Sequence, residues 1–274
     1  GGTDAPPTES SIKVKFGGSV TFTAKPDLGW EVDYWTSATE NTPNTTATLS
    51  NVTTSGINVK VKFKKITTVN HTDALPWKLL KKVVEIADNN AVITINGEIK
   101  ATNDTGNWGE ITLTGNITIR GGSSAVLNAN GLSRIFNVPN GKTLTLENIT
   151  LKNGKADNGG GVYNEGTLIM EGSATVAPSA GAGKNDVYLA SGAMITVNSS
   201  LTPQGDTAAR ITPESYADEG RQVLNGSGVE SGYYKFEVTP ESSTAEWVIK
   251  SDGCLKKAKG VVSSSSATPW KDLK

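Results

Sequence analysis

Short runs in which apolar and polar residues alternate cover most of the chain, and turns rich in Gly, Pro, Asn and Asp separate them. In IKVKF, Ile12, Val14 and Phe16 take one side and Lys13 and Lys15 the other, the pattern of a half-buried strand. Gly17-Gly18 turns the chain, and SVTFTAKP alternates again through Val20, Phe22 and Ala24. After a turn at Pro26-Asp27-Leu28-Gly29, WEVDYW supplies Trp30, Val32, Tyr34 and Trp35, and NVKVKFKK closes the unit with Val59, Val61 and Phe63. These runs predict a small β domain over residues 11–65. A flexible lead at 1–10, with two prolines and no apolar periodicity, precedes it. Residues 66–76 read as a linker.

The period then changes twice. PWKLLKKVVEIADNN spaces Trp77, Leu80, Val84 and Ala87 on one face of a helix, with Pro76 near its first turn and Asp88-Asn89-Asn90 as its stop. Beyond it, period two returns in AVITINGEI, EITLTGNITIRGG, GKTLTLENITLKNG, GTLIMEGSATV and GAMITVNSSL. Gly115, Gly141, Gly166 and Gly192 recur roughly every 25 residues, each ahead of a Thr/Ile/Leu/Met-rich run. The apolar positions align as Ile117 and Ile119, Leu144 and Leu146, Leu168 and Met170, then Met194 and Val197 with one residue of slippage. A second short run precedes each later glycine, as in Val162-Tyr163-Asn164 and Val187-Tyr188-Leu189.

One repeat of this size cannot close a core alone. Stacked turns pair their strands at ~4.8 Å and bring like side chains into inward columns, which makes a parallel β-helix. Its ends expose unpaired strand edges and need covers. The helix from Trp77 serves as the N-terminal cap, and the alternating tail YYKFEVTP and AEWVIKSDGCLKK as a C-terminal β cap. The expected class is all-β, with the capped parallel β-helix spanning 77–260. Residues 261–274 are a Ser-rich linker whose ATPWKDLK repeats the ALPWKLLKK of the cap helix and reads as the start of a further unit. In this frame Gly159-Gly160-Gly161-Val162-Tyr163-Asn164 is a rung, not a phosphate loop: the glycines form a tight corner, Val162 points inward, and Asn164 bonds backbone or stacks with Asn137.

Composition narrows the functions. Lys+Arg 26 against Asp+Glu 27 argues against nucleic acid as the main partner and against a polybasic membrane anchor. No run approaches the roughly 20 apolar residues of a transmembrane helix. A single Cys (Cys254) and a single His (His71) exclude an intrachain disulfide and a structural zinc centre, and no cofactor is expected. A serine or cysteine triad would have to use His71, in the linker-like TTVNHTDALP. Sequons at Asn51, Asn116 and Asn148 follow from Thr-rich strands bounded by Asn turns and carry no inference of glycosylation.

GGSVTFTAKPDLGWEVDYW, with the closing VKVKFKK, resembles the Listeria–Bacteroides repeat, also called the divergent internalin B-repeat. Tyr34-Trp35 stands where that family usually ends Gly-Trp. The resemblance covers about a fifth of the chain and implies a spacer or adhesive module of bacterial surface proteins. The run Gly159 to Asn164 resembles the right-handed β-helix repeats of polymorphic outer-membrane proteins and autotransporter adhesins. NDVYLASGAMITVNSSL and ARITPESYADEGRQVL are similar to parts of treponemal β-helix surface lipoproteins. Together these imply an extracellular or outer-membrane location, with a lipid anchor upstream of Gly1.

Parallel β-helices also host polysaccharide lyases and glycosidases, whose chemistry needs close carboxylates. Glu147 and Glu171 fall at nearly the same place on successive turns, with Arg120 on the turn before. Aligned, the glutamates would stand about 5 Å apart, the spacing of a retaining pair or a calcium site. The alternative is a solvated outer face with Arg120 screening the acids, and this is preferred. Asp157-Asn158 and Asn185-Asp186 read as corner formers. Trp108, Tyr233 and Tyr234 are the candidate sugar-contacting aromatics. Trp30 and Trp35 are read as core. The leading expectation is a non-enzymatic, monomeric surface adhesin that presents a β-helix flank to a host protein or glycan. A carbohydrate-active enzyme or glycan-binding module is the second reading, and a structural stalk the third.

Overall fold

The computed structural model of the protein describes residues 11–179, 184–217, 220–242 and 245–258, and the chain divides at Ile66 into two units. The lead at 1–10 and the tail at 261–274 lie outside the described residues.

In the first unit, strand Gly18–Thr23 pairs antiparallel with Thr46–Val52, and Trp30–Thr36 with Lys60–Lys65. The register of the second pair shifts between Val32 and Tyr34. This bulge sends Tyr34 outward, 49% exposed, and leaves Val32 and Trp35, three apart, on the inner face. Trp35 packs on Phe22 with ring centroids 6.4 Å apart and donates its indole N–H to the Asn44 carbonyl at 2.8 Å. The ring therefore serves packing. The core is thin, with Ala24, Val32 and Ala47 its buried apolar residues. One expected element is absent: residues 11–15 form no strand, and Ile12 and Phe16 are 62% and 84% exposed.

The second unit is a parallel β-solenoid of six coils. Strands starting at Ala91, Ile117, Thr143, Thr167, Met194 and Leu224 build its first face, 24 to 30 residues apart. A second face stacks Glu98–Lys100, Val126–Asn128, Thr150–Lys152 and Thr175–Val176. A third runs through Ile111–Thr112, Phe136–Val138, Val162–Asn164, Val187–Leu189, Ala209–Pro213 and Phe236–Val238. Inward residues form columns. Ile117, Leu144, Leu168, Ile195 and Leu224 make one, and Ile93, Ile119, Leu146 and Met170 another. Ile99, Leu127, Leu151 and Val176 line the second face. All these side chains are buried, and each contributes about 1.5–3 kcal/mol by leaving water. Among the described residues no second-face strand forms in the last two coils, and the buried Leu201 lies on that side of the core.

The four periodic glycines all stand one or two residues before a first-face strand, at the same corner of each coil. The slip in the fourth repeat resolves differently from the expected alignment. Leu168 pairs with Ile195, so Ile195 and Val197 are the buried residues and Met194 faces outward, half-buried. Residues 66–76 also differ from a linker. Strand Thr68–Asn70 pairs with Thr94 to Asn96 and forms the end strand of the first face. The exposed His71 follows directly, its N–H on the Asn96 carbonyl.

Helix Pro76–Ile86 covers the first coil, burying Trp77, Leu79, Leu80, Val83 and Val84. Trp77 is fully buried and donates its indole N–H to Gly109 at 2.8 Å. The Lys78 N–H, one of the orphan donors of the first turn, reaches Asn107 Oδ1 at 3.1 Å. At the other end the solenoid runs further than the sequence pattern indicates. Phe236–Val238 is its last third-face strand, and the cap is the hairpin Trp247–Ile249 with Leu255–Lys257.

Candidate functional site

The carboxylate column is real in register. Arg120 pairs with Glu147, and Glu147 with Glu171, on adjacent strands of the first face. All three are outward positions on a sheet whose other outward residues include Thr118, Thr145 and Thr167. Arg120 Nε lies 2.7 Å from Glu147 Oε2, so one of the two carboxylates is held by a cation. Neither glutamate lines either of the two hollows described below.

The candidate aromatics lie at opposite ends of the solenoid. Trp108 is 47% exposed, in a loop locked to the cap helix by its neighbours Asn107 and Gly109 and by Lys81 Nζ on its own carbonyl at 3.2 Å. Tyr233 and Tyr234 meet edge to face with centroids 5.9 Å apart, and Tyr234 is 67% exposed. Both line a groove of about 750 Å³ at the C-terminal end, together with Phe236, Pro240 and Trp247. The fold does not bring Trp108 and this tyrosine pair to one site.

A second concavity was missed by sequence reasoning. It is a hollow of about 740 Å³ lined by Leu132, Arg134, Lys155, Asp157, Asn158, Tyr163 and Lys184, among others. Its wall is the segment just before the triple glycine. Gly154 and Gly160 pinch together: a Cβ on Gly154 would sit 2.0 Å from the Gly160 carbonyl oxygen. Residues 155–159 are thereby looped outward. From the next coil Asn185 Oδ1 accepts the Gly154 N–H at 2.9 Å, and Asp186 Oδ1 accepts the Gly160 N–H at 3.1 Å. From the preceding coil Ser133 accepts the Lys155 N–H at 3.0 Å. Arg134 reaches the carbonyls of Gly159 through Nε and of Asn158 through Nη2, both at 3.0 Å.

Arg134 also pairs with Glu110, and its guanidinium lies 4.8 Å from the centre of the Tyr163 ring. Tyr188, on the following coil, stacks on that ring at 4.9 Å with 13° between the planes, whereas Arg134 comes from the preceding coil. Both faces of Tyr163 are therefore covered, leaving its edge and hydroxyl for contact. Asn185 and Asp186, expected as turn formers, are fully buried clamps, with Asn185 at a positive φ of 46°. The proposed Asn137–Asn164 ladder does not form, because the register sets Asn137 beside Tyr163 and Val138 beside Asn164. Asn164 instead donates to the Met194 carbonyl at 3.3 Å. Asparagine stacking does occur at other corners, as from Asn153 Nδ2 to Asn128 Oδ1 at 2.9 Å and from Asn96 Nδ2 to Asn70 Oδ1 at 3.0 Å.

Comparison with known proteins bears on the first unit. Residues 2–67 match the family model of the divergent InlB B-repeat domain. The match ends where the first unit does, within a residue. Comparison with curated proteins and with solved structures gave no match. Among the described residues, no helix is long and apolar enough to cross a membrane, and no group of three or more His, Cys, Asp or Glu is placed to hold a metal.

Proposed function

We propose that the protein is a non-enzymatic module of a bacterial cell surface, in which a B-repeat-like domain accompanies a capped β-solenoid whose flank binds a host protein or glycan. The observation that carries this reading is the similarity of residues 2–67 to the divergent InlB B-repeat domain, joined in one chain to a solenoid. A solenoid offers a long contact wall built from nearest-neighbour contacts alone, which suits adhesion. The pairing of Glu147 with Arg120 on an outward sheet favours a screened surface over a pair of free catalytic carboxylates.

The test is binding of the purified chain to host cells and immobilised matrix components, with product analysis on acidic polysaccharides in parallel. Saturable binding without turnover is expected. Depolymerisation that disappears in Glu147→Gln or Glu171→Gln would overturn the reading in favour of an enzyme.

A further inference from the structure

We propose that the hollow beneath the 155–159 loop binds a uronate-bearing saccharide; this rests on the recognition role above and names its ligand class. The loop is held at its neck by Asn185 and Asp186 and braced by Arg134, so its geometry exists before any ligand arrives. About 740 Å³ falls within the usual range for a small-ligand site.

The chemistry of the lining selects the ligand. Some cations of the solenoid are neutralised by partners: Arg120 by Glu147, Lys152 by Glu98, Arg210 by Glu237. Around the hollow, Arg134 is matched by Glu110, but the exposed Lys155 and Lys184 have no ion-pair partner among the described residues. Asp157 is the one acid in the lining, so two lysines face it with a net positive balance. An anion is favoured there.

The floor refines the choice. A neutral sugar is ordinarily held by stacking on an open aromatic face, and Tyr163 has none, with Tyr188 on one side and Arg134 on the other. What remains is a phenol hydroxyl, the Asn158 side chain and two ammonium groups. That set recognises hydroxyls and a carboxylate together. A carboxylate-only ligand would leave the hydroxyl-recognising groups unused.

The experiment is calorimetric titration of the intact chain with a hyaluronan tetrasaccharide, with maltotriose and a short poly-glutamate peptide as controls. Saturable binding of the hyaluronan fragment, weakened by added salt, is expected, with neither control binding comparably. Lys155→Ala/Lys184→Ala should weaken it about tenfold, equivalent to about 1.4 kcal/mol, and Tyr163→Phe by a smaller factor with the stack preserved. Unchanged circular dichroism would show that these variants keep the fold. Failure of the fragment to bind, equal binding by the double variant, or equal binding of maltotriose or poly-glutamate would overturn the proposal. Host-cell binding that persists in the double variant would also remove this hollow as the site while leaving the recognition reading intact.

Discussion

Replacing Asn185 is the most searching test of how the solenoid holds its corner loop. The side chain is fully buried and serves three backbone groups: Oδ1 accepts from Gly154, and Nδ2 donates to Leu151 and Ala177. In Asn185→Ala the Leu151 carbonyl keeps the Ala177 N–H at 2.9 Å. The Gly154 N–H and the Ala177 carbonyl lose their partners among the described residues, and each orphaned buried group costs about 1–3 kcal/mol. Asn tolerates the left-handed backbone at this position better than Ala does, which adds about 1 kcal/mol. The expected loss is about 3–7 kcal/mol, a large share of a typical domain's stability. Asn185→Asp keeps the acceptor but turns the donor into a second acceptor aimed at carbonyls. It should cost at least as much at neutral pH and recover on acidification, when the protonated carboxyl donates again. Urea unfolding followed by circular dichroism gives the free energies, and hydrogen exchange at the Gly154 amide reports the local contact. A loss below about 1 kcal/mol in Asn185→Ala, with Gly154 still protected, would refute the reasoning.

Two further outcomes follow from the same structure. Leu146→Ala empties a position in the column between Ile119 and Met170 and should cost about 3–5 kcal/mol in urea unfolding, because stacked coils cannot collapse freely onto the gap. Tyr216, which donates to the Thr239 carbonyl at 2.7 Å, has its pKa pushed up to about 12, chiefly by burial and further by Glu241 and Asp186. Folding thus favours the neutral phenol: its contribution is complete below the ordinary value of 10 and is lost as pH rises through about 12. Burial also raises Tyr188, so alkaline titration by ultraviolet absorbance should show a late-ionising component that loses the Tyr216 contribution in Tyr216→Phe and keeps that of Tyr188.

The sequence by itself determined the class of fold. Period-two runs following glycines at near-constant spacing require strands that stack, and a row of Ile, Leu and Met in each run supplies the inward columns. The amphipathic helix at Pro76 was equally legible, because its apolar face had to be covered by something. Register was less so. Around Met194 an alternating pattern fits two alignments one residue apart, and only the coil below decides that Ile195 faces inward. The bulge after Val32 and the entry of Thr68–Asn70 into the first face are likewise settled by partners distant in sequence. The hollow was decided by tertiary structure alone. NGKADNGGG announces a turn, but its clamps, Arg134 and Asn185-Asp186, lie one coil away on either side. In a solenoid, neighbours across the stack are about 25 residues apart in the chain, beyond the reach of any local pattern.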